Sequence, residues 1–218
     1  MKRLEKTVHS CTKCHAELGE YLDFTPVFSF GKPEDKQVFL VGLNPSRNEF
    51  LKGHLSNDPN INVRRKTERQ YFKNEEVYSY FQKVEPFFKG DAKKALEWEN
   101  KPWEKIGVLD LVKCPTVKKN KQWTKLTPKE KRLLINNCEG YLLKQLHNYD
   151  PKLVIAYGAD VCKWFAAKLG LKDYTEYEHH KGKLGNKTIT VIFVKQRQGE
   201  HSLPEQLWVQ EKIYSLLS

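Results

Sequence analysis

No apolar run in the sequence approaches the ~20 residues that a helix needs to cross a bilayer, and the opening MKRLEKTVHS lacks the apolar core of a secretory signal. A soluble, cytoplasmic protein with no membrane partner is the expectation. Repeats and low-complexity tracts are also missing, and 5 Trp, 10 Tyr and 11 Phe argue against disorder. Acidic residues are in short supply: 27 Asp and Glu stand against 38 Lys and Arg, a net charge of +11. A field of that sign favours polyanions, with nucleic acid as the first candidate, although a solvated lysine-rich surface has the same composition. A second Cys-x-x-Cys is missing as well. Cys11 and Cys14 form one such pair, while Cys114, Cys138 and Cys162 stand singly. Five cysteines without a secretion signal speak against a disulfide framework and turn attention to thiolate ligation.

What is present fits one domain over residues 1–218, large enough for a substantial core and expected to be a monomer. Val38–Gly42 is a short apolar strand without alternation, the pattern of a strand buried on both faces. It runs into Gly42-Leu43-Asn44-Pro45-Ser46, where glycine permits a sharp departure and proline fixes the backbone. In open α/β sheets ligands bind at the carboxyl ends of strands, so Asn44 sits where an amide can orient a water. An ordinary strand-to-loop turn has the same residues.

Residues 1–36 show little regular pattern beyond the cysteine pair, and Asn48 to Arg69 reads as a polar loop. Tyr71 to Phe88 is dense in aromatics, with Val77, Tyr80, Phe81 and Val84 at helical spacing. Lys105–Cys114 is a second strand that carries Asp110 and delivers Cys114 to its end. Pro115–Arg132 is basic, and Lys118, Lys119 and Lys121 beside Trp123 suit a phosphate backbone with one stacking contact. Thr127-Pro128-Lys129-Glu130 is a capping box that opens a helix to about Asn148, with Leu133, Leu134, Cys138, Tyr141, Leu142, Gln145 and Leu146 on one broad face. Lys152–Gly158 is a third buried strand, Ala159–Leu169 a helix holding Cys162, and Lys187–Val194 a fourth strand. A last helix opens at Pro204. Strands alternating with helices imply a mainly parallel sheet covered on both faces.

Four marks in this order resemble the uracil-DNA glycosylase superfamily, and its iron–sulfur (family 4-like) branch most: Cys-x-x-Cys near the start, a strand ending in GLNPS, LDLVKCP, and NCEGYLLKQL followed by PKLVIAYGADVCKWF. The resemblance implies a three-layer α/β/α sandwich around a mainly parallel four-stranded sheet. It implies a DNA glycosylase that excises uracil or another deaminated base by hydrolysing the N-glycosidic bond in base excision repair. It also implies a [4Fe-4S] cluster on Cys11, Cys14, Cys114 and Cys138, with zinc as the alternative occupant of four thiolates. Cys162 has no counterpart in that scheme and reads as a buried free thiol.

Carried residue by residue, the resemblance makes Asn44 and His201 catalytic and Gly42, Leu43, Asp110, Phe50 and Phe72 base-binding, with Phe50 and Phe72 as alternative stacking aromatics. Arg197 joins Lys118, Lys119, Lys121 and Trp123 on DNA. The gap from Cys114 to Cys138 is longer than the pattern usually shows, and the site residues depart from it at three places. Asn44 stands where many relatives have a carboxylate, though the mismatch-directed branch also has Asn in G-x-N-P; an amide orients water but accepts no proton. Asp110 stands where many have Asn; an ionised Asp offers only acceptors and suits a base edge presenting an exocyclic amine or ring N–H, unless the carboxyl is protonated. His201-Ser202-Leu203-Pro204 replaces an H-P-S-like turn, with Gln196 as an alternative occupant nearer the strand end. A glycosylase-like fold that binds nucleic acid without chemistry is the competing expectation.

Overall fold

Strands buried on both faces need helices on both faces, and the alternation of elements supplies them. The computed structural model describes residues 1–14, 18, 24–73, 78–89, 102–116, 123–196 and 200–217. In chain order its main elements are α1 (Lys2–His9), β1 (Val38–Gly42), α2 (Arg47–Leu51), α3 (Ile61–Gln70), α4 (Ser79–Val84), β2 (Ile106–Asp110), α5 (Pro128–Tyr149), β3 (Leu153–Tyr157), α6 (Ala159–Lys168), β4 (His179–Leu184), β5 (Lys187–Val194) and α7 (Leu203–Leu217). The sheet order is β2-β1-β3-β5-β4. β2, β1, β3 and β5 run parallel, and β4 pairs antiparallel with β5 at the edge.

The two faces of the sheet sort the core. Phe39 and Val41 of β1 face a layer containing Leu134 and Leu142 of α5 and Trp164 and Phe165 of α6. Val38 and Leu40 face the other, with Phe81 of α4 and Val209 and Ile213 of α7. This is the three-layer α/β/α arrangement. Val8 of α1, Phe28 and Tyr141 of α5 form a smaller cluster beside it.

The sheet has five strands where the apolar pattern gives four. β4 reads HHKGKL, and its residues alternate between exposed and half-buried, so no apolar signal marks it. Charge on such an edge discourages pairing with another chain. Two helices occupy the stretch that reads as a polar loop. α2 is opened by Ser46, whose side chain accepts from the Asn48 N–H inside a capping box with Glu49. α3 is capped by Asn60 and buries Arg64 and Glu68. Its inner face is charged, so hydrophobic periodicity does not reveal it. Glu68 takes His9 Nε2 at 2.8 Å and the Phe28 N–H at 3.2 Å, and Arg64 donates to the His9 carbonyl at 3.0 Å. That network ties α1 and the chain before β1 onto α3.

α5 starts at the expected capping box, with Pro128 in its first turn, and ends on Asp150 in the left-handed region before Pro151. Its buried residues are the expected face, including Cys138, except that Leu133 is only half-buried. The chain leaves β1 for β2 on one side and later returns to β3 on the other. The carboxyl ends of β1 and β3 thus form a switch point, the place where α/β sheets open a crevice.

Candidate active site

A cleft of about 770 Å³ opens there, within the range of small-molecule sites. Each parallel strand contributes at its carboxyl end: Leu43 and Asn44 after β1, Asp110 of β2, Tyr157 of β3 and Gln196 after β5. The register sets Gly42 opposite Asp110. Asn44 is half-buried; its Nδ2 donates to the Pro45 carbonyl at 2.9 Å and reaches Thr116 Oγ1 at 3.5 Å. The amide is therefore braced from two sides while it lines the cleft.

Gly42 is required by what lies over it. A Cβ there would stand 2.7 Å from Asp110 Oδ1 and 2.8 Å from the Tyr80 hydroxyl. Asp110 is buried, and among the described residues neither its Oδ2 nor the Tyr80 hydroxyl has a hydrogen-bond partner. Burial pushes the Asp110 carboxyl well up, and the Lys113 ammonium opposes that only in part. A neutral Asp110 offers an O–H donor beside an acceptor, which removes the restriction to acceptors expected of an ionised group.

A second carboxyl, unmarked in the sequence reading, also lines the cleft. Glu49 lies on α2, buried, with Oε1 accepting from the Tyr71 hydroxyl at 2.6 Å and Oε2 accepting from the Ser46 N–H at 2.6 Å. Burial raises it to about 7, against the lowering effect of those two hydrogen bonds. The signal that finds it is Ser46-Arg47-Asn48-Glu49, the capping-box spacing directly after the GLNPS turn. Around the rim stand Arg47 and Lys125, both exposed, and Lys83.

A sequence model described as the Uracil DNA glycosylase superfamily matches residues 28–209. The chain belongs to that superfamily. No curated protein matches the chain. The superfamily match spans all five strands, α2 to α6 and the first half of α7, and with them the whole cleft.

Against that family the remaining expected residues fall as follows. Trp123 lines the cleft, held by its Nε1 donating to Asp160 at 2.6 Å, with the Lys131 ammonium 5.7 Å from the ring centre. Lys118, Lys119, Lys121 and Arg197 lie outside the described residues. Phe50 stacks on Phe24 at 4.8 Å, and Phe72 lies parallel to Trp103 at 4.7 Å; neither lines the cleft. The aromatic groups that do line it include Phe30, Tyr78, Tyr80, Phe81 and Tyr157. His201 is buried behind Tyr157, with Nε2 3.0 Å from the Tyr157 hydroxyl and Nδ1 3.2 Å from that of Tyr177. It meets the cleft through Tyr157, whereas Gln196 lines it directly.

The cysteines gather beyond the end of β2. Cys14, Cys114 and Cys138 are buried and Cys11 half-buried. Three sulfurs accept a hydrogen bond at 3.4 Å: Cys11 from the Tyr141 hydroxyl, Cys14 from Asn137 Nδ2 and Cys138 from the Lys113 N–H. Burial, followed by the neighbouring Cys14 and Cys11, drives the Cys114 thiol up. A hydrogen bond with Cys14, then burial, does the same to Cys138. A deprotonated set here requires a bound cation or cluster. Among the described residues no three His, Cys, Asp or Glu side chains form a group that holds a metal ion as they stand. Cys162 is separate: its thiol faces the Ala156 carbonyl at 3.2 Å inside the core.

Proposed function

We propose that the chain is a DNA glycosylase that removes a deaminated base by hydrolysing its N-glycosidic bond. The observation that carries this reading is the convergence of Asn44, Glu49 and Asp110 in one cleft at the strand carboxyl ends, with cations at its rim. A glycosylase takes its base out of the stack, holds the edge and delivers water to the sugar carbon. Asn44, braced by Pro45 and Thr116, orients the water. Glu49 accepts its proton, the step an amide cannot perform. Each carboxylate oxygen of Glu49 keeps a lone pair beyond the hydrogen bond it already accepts. Asp110 holds the base edge. Tyr157, hydrogen-bonded to His201, offers a hydroxyl toward the departing base, so His201 serves as a positioning residue. Arg47 and Lys125 meet phosphates.

Cys11, Cys14, Cys114 and Cys138 suit a [4Fe-4S] cluster in this reading. Hydrogen bonds to the sulfurs, as three of them accept here, are one of the ways a protein tunes such a centre. Zinc on the same four thiolates is the alternative. Bound there, the cluster would fix the N-terminal segment to the end of β2 and to α5.

The test uses single- and double-stranded oligonucleotides bearing uracil, hypoxanthine, xanthine or a mismatch, followed by alkali to cut abasic sites. Strand breaks with one of these substrates are expected. Retained DNA binding with a blank panel would favour a binding protein that has lost the chemistry.

A further inference from the structure

The Tyr80 hydroxyl plays no part in the reaction above, yet it is a buried polar group without a hydrogen-bond partner among the described residues. Its ring is fixed edge-on against Phe81, with centres 5.1 Å apart, and against Tyr157 at 5.4 Å. The hydroxyl ends over Gly42, where a Cβ would stand 2.8 Å from it and 2.7 Å from Asp110 Oδ1. Asp110 Oδ2, on the same carboxyl, is likewise a buried atom without a partner among the described residues. Tyr80 and Asp110 both close over Gly42 and both line the cleft; their unsatisfied buried atoms are costly in the free protein, and a ligand that pairs both repays that cost. Only glycine at position 42 leaves room for both groups.

Resting on the glycosylase reading, we infer that Tyr80 is a specificity residue whose hydroxyl, together with Asp110 Oδ2, reads the edge of the extruded base, and that this base carries a carbonyl next to a ring N–H. The phenol donates to the carbonyl and Asp110 Oδ2 accepts the N–H. Deamination creates that edge, turning an exocyclic amine into a carbonyl and a ring acceptor into an N–H. A lactam N–H is also a more acidic donor than an exocyclic amine, which strengthens the contact to a carboxyl oxygen. Each contact is left empty by a base that lacks its partner, and sites of this kind reject such bases strongly.

The experiment compares wild type with Tyr80→Phe, which deletes one oxygen and keeps the ring. Free uracil and hypoxanthine, with cytosine and adenine as the amine-bearing pair, are titrated into both full-length proteins by calorimetry. Both proteins are then run on oligonucleotides carrying the base that binds best. Wild type should prefer a lactam base, and Tyr80→Phe should weaken that binding and lower kcat/KM by about tenfold or more. Its melting temperature should stay the same or rise, because the deleted hydroxyl had no partner in the free protein. Equal affinity in the two proteins, preference for cytosine or adenine, or no lactam binding by wild type would overturn the inference. Binding that depends on Tyr80 without strand cleavage would uphold it and refute the glycosylase reading. Cleavage at the same rate in both proteins would do the reverse.

Discussion

At the scale of residues, the proposed chemistry rests on how burial sets two carboxyls. Glu49 is raised to about 7 by desolvation, so it changes charge near neutral pH, where a general base works best. The excision rate should climb as pH rises toward 7 and level off above it, since only the ionised form accepts a proton. Glu49→Gln keeps the capping box, because Gln also satisfies it. It should slow single-turnover excision by roughly 10²-fold or more and flatten that limb. A profile unchanged in Glu49→Gln would remove Glu49 from the mechanism. The same group carries a stability signature. Its folded value lies above the usual 4.5, so the folded state favours the proton. That contribution is full below about pH 4.5 and is lost as pH rises through about 7, amounting to about 3 kcal/mol at most. The sequence made Asn44 and Asp110 legible because each ends a strand with an apolar signal. It did not expose Glu49 or Tyr80, whose burial depends on α2 and α4 folding over β1. Nor did it separate His201, one residue behind the cleft, from Gln196, which lines it.

Among the elements, α5 links the fold to the cysteines. Its capping box, Pro128 and apolar stripe are all local signals, and the helix could be read from them. The same stripe presents Cys138 beside Cys114 at the end of β2, with Cys11 and Cys14 brought in by the segment after α1. Anaerobically purified protein should contain iron and sulfide and absorb broadly in the visible. Cys138→Ala should lose the iron and unfold at lower denaturant, because a group bound only by the native state adds its binding energy to folding. Cys162→Ala should keep the iron. Zinc without iron in the anaerobic preparation would contradict the cluster. The elements the sequence hid are those whose contacts are polar. β4 is an edge strand of Lys and His, and α3 turns Arg64 and Glu68 inward to hold His9, so neither has an apolar period to read.

For the molecule as a whole, binding and chemistry are expected to divide. The net charge of +11 acts over the entire surface, and such a field attracts DNA regardless of sequence, with an affinity that falls as salt rises. The cleft lies at one switch point of the sheet, and a single amide inside it contributes little to that attraction. A group that acts only in the transition state shows this separation: its loss lowers the rate and spares the affinity. The most direct test measures single-turnover excision and DNA affinity on the same uracil- or hypoxanthine-bearing duplex for wild type and Asn44→Ala. The expected result is excision by wild type, a loss of about 10²-fold or more in Asn44→Ala, and dissociation constants within about twofold of each other. Excision by Asn44→Ala at the wild-type rate, or none by wild type on any deaminated base, would contradict it.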